Sequence, residues 1–239
     1  MLENALRYPW TGEQKIETIL IGGVLSLLGV FFIPVLFVYG YLVRVIRAVS
    51  DGADEVPPVF DEWGDLFIEG VVAFLISLVY GLVPLVVIGL AIVSFVLPAS
   101  VVTTASGEPM AGLAVGGLLF ALVVVAVTVV VSLGAVYLLP AAVSAYAVTG
   151  RVGPAFSPGT LRAIGGSQIY AVAWLVAVAI AIGAQVVGGF ASVTVVGAVL
   201  IPFLSFYGNV AGAYAIGTAV REVPALASES QTPIAGSIA

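Results

Sequence analysis

The side chains able to do chemistry in this sequence are few, and most are acidic. Asp51, Asp54, Glu55, Asp61, Glu62, Asp65 and Glu69 fall within nineteen residues and make up seven of the thirteen carboxylates. Carboxylate oxygens of this kind suit calcium or magnesium. The spacing of Asp51, Asp54 and Glu55 fits no known calcium loop, so the expectation is a solvated acidic surface and no metal site. The same surface, formed by Asp51, Asp54, Glu55, Asp61, Glu62 and Asp65, offers a dock for a basic protein partner in the cytoplasm or the membrane. The other polar candidates lie in apolar stretches: Gln168, Gln185, Asn209, Tyr80, Tyr137, Tyr170 and Tyr214. Asn209 stands seven residues beyond Pro202. With Gln185 it could line a cavity, although such amides more often hydrogen-bond a neighbouring helix.

The missing residue types exclude more than the present ones suggest. There is no cysteine and no histidine. Thiolate catalysis, disulfides, iron–sulfur ligation and histidine-held haem or zinc are therefore out. The serines have no histidine or lysine base beside them, and no pair of aspartates lies within an apolar stretch. Gly22-Gly23, Gly116-Gly117 and Gly165-Gly166 lack the pattern of a phosphate loop. The expectation is a protein without catalytic residues or cofactor, not an enzyme. Its net charge of −6 speaks against nucleic-acid binding, which needs a basic face. One lysine against six arginines in an acidic chain resembles the proteins of halophilic archaea. In molar salt the Debye length shrinks to about 3 Å and clustered acids repel less.

The elements that position these residues must be membrane helices. The chain is 62% hydrophobic and 8% charged, with a mean hydropathy of +1.24. Soluble domains carry about 25% charged residues. Apolar stretches run over 16–46, 70–97, 111–149, 169–187 and 190–220. They are continuously apolar, whereas barrel strands alternate. The fold class is all-α: one polytopic transmembrane helical bundle over 1–221, with five to six membrane segments. Pro34, Pro84, Pro140 and Pro202 are expected to kink them. Pro34, Pro140 and Pro202 are each followed by tyrosine and then arginine, which hints at a divergent repeat. A tight turn is expected at Gly188-Gly189. Gly112/Gly116, Gly208/Gly212 and Ala213/Gly217 give faces of small residues, for packing within the bundle or for a homo-oligomer.

The stretch 16–46 either crosses once or folds back as a hairpin, and the hairpin places every lysine and arginine on one face. Both arrangements put the 47–69 loop, the 150–165 loop and the C-terminus in the cytoplasm of a multi-pass cell-membrane protein. Residues 1–17 read as a mature N-terminus, with Leu6, Tyr8, Pro9 and Trp10 at the headgroups of the membrane lipids. Residues 222–239 read as a disordered cytoplasmic tail.

Pro57-Pro58 stops any helix arriving from the first stretch. From Val59 to Glu69 the periodicity is helical, with Phe60, Trp63, Leu66 and Phe67 on one face and the acids mostly on the other. The expectation is an amphipathic helix lying in the interface, anchored by Phe60, Trp63 and Phe67. The run Pro34, Gly40-Tyr41, Arg44, Asp51-Gly52, Val56-Pro57-Pro58, Phe60-Asp61-Glu62-Trp63-Gly64-Asp65-Leu66-Phe67, Gly70 and Tyr80 resembles the DUF4013 family of archaeal multi-pass membrane proteins. The resemblance implies a polytopic archaeal protein, and it brings no activity and no catalytic residues. The leading expectation is a non-enzymatic membrane component that organises a partner or the lipid environment. The alternative is a small-solute or lipid transporter with a cavity between Pro-kinked helices.

Overall fold

Phe32 decides how the first apolar stretch folds. In the computed structural model, which describes residues 1–106 and 111–223 and the side chains of those outside 94–118, Phe32 has φ +65°. A helix cannot pass through that conformation. The stretch therefore splits into α2 (Lys15–Leu27) and α3 (Ile33–Ser50), joined by a 3₁₀ turn over Leu28–Phe31. Pro34 lies in the first turn of α3. There its missing N–H costs nothing, so it starts a helix and does not kink one. Before α2 come α1 (Leu2–Arg7) and a short turn over Tyr8–Trp10.

The remaining elements are α4 (Trp63–Ser106), α5 (Ala111–Thr149), α6 (Pro158–Gly165), α7 (Gln168–Ala191) and α8 (Val195–Arg221). Five of the described helices are long and apolar enough to cross a membrane. Among the described residues there is no strand. The protein is an all-α polytopic helical bundle. It divides into two units, Met1–Ile76 with Pro140–Ala239, and Ser77–Leu139.

In the first unit α8 is the central post. Tyr41 of α3 meets Phe206 with ring centroids 5.5 Å apart, and Val49 lies against Gly217. Both residue numbers rise together, so α3 and α8 run parallel. On α2, Gly22 faces the ring of Phe206 and Gly23 that of Phe203. The numbers now run in opposite senses, and α2 is antiparallel to both. The 16–46 stretch is thus a helical hairpin. The second unit holds the apolar halves of α4 and α5. Their described side chains, such as Leu82, Leu85, Leu122 and Val130, are exposed, as suits helices solvated by lipid.

Several expected boundaries move. The helix expected over 59–69 is not a separate interfacial element. Val59–Glu62 is non-helical, Glu62 has φ +45°, and the helix begins at Trp63. Nothing between Trp63 and Gly70 breaks it, so it continues directly into the apolar stretch. At its far end α4 continues through Pro98 to Ser106 and does not stop at residue 97. A proline removes a single hydrogen bond and need not end a membrane helix. Pro84, Pro140 and Pro202 likewise lie inside α4, α5 and α8. The turn between α7 and α8 falls at Ser192–Thr194, not at Gly188-Gly189. Thr194 fixes it by accepting the Gly197 N–H at 3.0 Å as a helix cap. The loop 150–165 contains α6, with Thr160 and Ile164 buried. The expected tail lies outside the described residues from Pro224 on.

Candidate functional site: a strapped loop at the charged end

The loop between α3 and α4 leaves α3 through a left-handed Gly52, φ +92°. It then runs across the bundle end with little secondary structure of its own. Such a segment must satisfy its backbone carbonyls through side chains, and the surrounding elements do this. The Tyr41 hydroxyl donates to the Pro58 carbonyl at 3.0 Å. Tyr8 donates to the Val56 carbonyl at 3.4 Å. Burial first, then the nearby Tyr214 and Asp54, push the Tyr8 hydroxyl above its ordinary pKa. It therefore stays a protonated donor. The Arg44 guanidinium donates to the Asp61 carbonyl at 3.0 Å and to the Asp61 carboxylate at 2.6 Å. It also reaches the Glu62 carbonyl at 3.3 Å and the Glu62 carboxylate at 3.4 Å. Arg221, at the end of α8, pairs with Asp54 at 3.2 Å.

Beneath the loop lies Glu69, on the second turn of α4. Its carboxylate receives the Arg47 guanidinium and lies 3.6 Å from Nε of Arg44. Arg47 also donates through Nε to the Ala147 carbonyl of α5 at 2.8 Å. Glu69 and Arg47 together therefore tie α3, α4 and α5 at one end of the unit. Arg44 and Glu69 are only 12% and 17% exposed in their side chains, so salt screens these contacts less than it screens surface pairs.

The aromatic residues expected to grip the interface pack on the protein first. Phe60 stacks on Tyr41 at 4.3 Å with the planes 11° apart. Trp63 and Phe67 meet Phe37 at 5.5 and 5.4 Å. They anchor the start of α4 to α3. Trp63 remains exposed on its outer side.

The six acids expected to form one surface divide into two groups. Asp54, Asp61 and Glu62 are spent on holding the loop. Asp51, Glu55 and Asp65 are exposed and form no ion pair among the described residues. No group of three or more acids converges on a metal-sized site among the described residues. Asn209 and Gln185 are not brought together. Both lie exposed, on α8 and α7 respectively. Gly208 and Gly212 face Ala184 and Ala177 of α7 at 3.5 Å, and Gly217 faces Val49 of α3. These small residues pack the bundle internally. The Gly112/Gly116 pair falls outside the described side chains.

Sequence reasoning missed Glu69, Arg47 and Arg221 as part of this cluster. Arg44 and Arg47 sit three apart and share a helix face, which was the available signal. Nothing local pointed to Arg221. A family model described as "Protein of unknown function (DUF4013)" matches residues 24–193, more than half of the chain. No curated protein and no solved structure matches.

Proposed function

The chain belongs to the DUF4013 family, proteins of unknown function, and from that premise we propose that its charged end is a docking platform at the membrane surface. In this reading the protein is a non-enzymatic membrane component that holds a basic partner at the bilayer. The observation that carries it is the division of the acids. Three are consumed in fixing the loop, and Asp51, Glu55 and Asp65 face outward from it. A loop already held in one conformation loses little entropy when a partner binds. The exposed positions of Asn209 and Gln185 favour a platform over a carrier with a polar cavity. All seven lysines and arginines fall at this end of the first unit or in its connections. The positive-inside rule then assigns that end to the cytoplasm of the cell membrane. The acidic, lysine-poor composition fits a haloarchaeal setting, in which docking must survive strong screening.

The test is purification from native membranes of the wild-type chain beside the triple variant Asp51→Asn, Glu55→Gln, Asp65→Asn. A second protein at fixed stoichiometry is expected with the wild type and lost with the variant, at an unchanged melting temperature. Equal recovery of the partner with both, or of none with either, would sink the platform reading.

A further inference from the structure

A cavity of about 320 Å³ lies between the start of α2 and the strapped loop. Its polar side is formed by Gln14, Lys15 and Thr18, its apolar wall by Val56 and Pro57, and Glu13 stands at its rim. We propose that this cavity binds a phosphate ester, presented either by a lipid headgroup or by a small free phosphate ester.

Three independent features converge there. The first is the start of α2. Gln14 makes no side-chain capping bond, and the first intrahelical bond is Thr18 N–H to the Gln14 carbonyl, 2.9 Å. The N–H groups of Lys15, Ile16 and Glu17 therefore have no partner within the helix, and of these three residues Lys15 lines the cavity, with the positive end of the helix dipole behind it. Such N–H groups are the usual cradle of a phosphate. The second is Lys15. Its ammonium sits 5.5 Å from the centroid of the Trp10 ring and forms no ion pair among the described residues. The ring holds the charge at the cavity without neutralising it. The third is Thr18, which is 7% exposed. Its hydroxyl has no hydrogen-bond partner among the described residues. It lines the cavity and is free to donate to, or accept from, a ligand there.

The two acids nearby narrow the ligand. Glu17 in the first turn and Glu13 at the rim oppose a bare, highly charged anion. A phosphodiester carrying hydroxyl groups suits the cavity better, because a hydroxyl can donate to Glu13 while the phosphate meets Lys15 and the helix N–H groups. The apolar wall of Val56 and Pro57 would lie along the glycerol backbone of such a lipid.

The test uses the full chain in detergent and native mass spectrometry, with phosphatidylglycerol, diacylglycerol and glycerol 3-phosphate as probes. Phosphatidylglycerol is expected to stay bound and diacylglycerol to be lost. Retention should weaken about tenfold in Lys15→Gln and in Thr18→Val, the size expected for one lost polar contact. Thr18→Ser keeps the hydroxyl and should bind as wild type, which separates lost chemistry from misfolding. Arg162→Gln, the same charge change on α6, should bind as wild type. If glycerol 3-phosphate alone raises the melting temperature of the wild type and not of Lys15→Gln, the ligand is a free ester. If it does nothing while phosphatidylglycerol is retained, the ligand is a lipid. Equal retention of phosphatidylglycerol by wild type, Lys15→Gln and Thr18→Val would overturn the proposal, as would equal retention of diacylglycerol.

Discussion

Glu69 carries one negative charge between two guanidinium groups, those of Arg44 and Arg47. Removing that charge leaves two like charges side by side in a poorly hydrated place. Breaking a buried pair costs about 3–5 kcal/mol, and the residual exposure of these groups reduces that to about 2 kcal/mol. Glu69→Ala should therefore lower the unfolding free energy by about 2 kcal/mol, measured by denaturant titration in detergent. An unchanged midpoint would mean that water, not Glu69, satisfies the two arginines. Asp61 behaves differently, because its side chain is 59% exposed although its contact with Arg44 is short. A double-mutant cycle of Arg44→Ala and Asp61→Ala should give a coupling below about 1 kcal/mol. Read from sequence alone, the acids formed a single solvated surface. The partners that divide them come from distant parts of the chain: Arg44 is 17 residues from Asp61, and Arg221 is 167 from Asp54. Periodicity reports only neighbours three or four residues apart, so this pairing was not legible.

The meeting of α3 and α4 turns on two glycines. A Cβ at Gly40 would fall on the Leu66 carbonyl, and one at Gly70 would fall on the Leu36 carbonyl. Each glycine thus makes room for the other helix's backbone. Backbones that approach this closely gain dispersion contacts that no larger residue permits. Gly40→Ala should force the helices apart and cost about 1–3 kcal/mol. Gly70→Ala should cost the same, and the double variant little more, since both open one contact. Gly81→Ala, with nothing within 4 Å of its Cβ, is the control and should leave stability within about 0.5 kcal/mol. A loss in Gly40→Ala no larger than in the control would refute the close crossing. At this scale the sequence was informative about helices and poor about their ends. Long apolar runs announce a helix, but the break at Phe32 rests on a positive φ at a bulky residue, which no composition rule anticipates. The merging of residues 63–69 of the expected 59–69 helix into α4 was hidden for a related reason. Its amphipathic pattern was real, yet its aromatic face packs on Phe37 and Tyr41 of α3 as well as facing outward.

For the whole molecule, the hairpin has one consequence that a single crossing does not. The start of α2 and the end of α3 both abut the strapped loop, where Lys15 and Thr18 share a cavity with Val56 and Pro57, so the N-terminal segment lies on the same side as that loop. The α7–α8 turn lies at the other end of α8, twenty-seven residues from Arg221. That is about 40 Å of helix at 1.5 Å per residue, more than the roughly 30 Å of hydrocarbon. The chain has no cysteine, so single substitutions report position without background. Leu2→Cys and Ala53→Cys should resist a membrane-impermeant maleimide applied to intact cells and react once the cells are opened. Val193→Cys, at an exposed turn, should react in both conditions. Labelling of Leu2→Cys together with Val193→Cys in intact cells, with Ala53→Cys protected, would mean that the 16–46 stretch crosses after all. Labelling of Leu2→Cys and Ala53→Cys in intact cells, with Val193→Cys protected, would keep the hairpin and reverse the bundle in the membrane. The two failures are distinct because the hairpin rests on packing against α8, whereas the orientation rests on seven basic side chains gathered at one end.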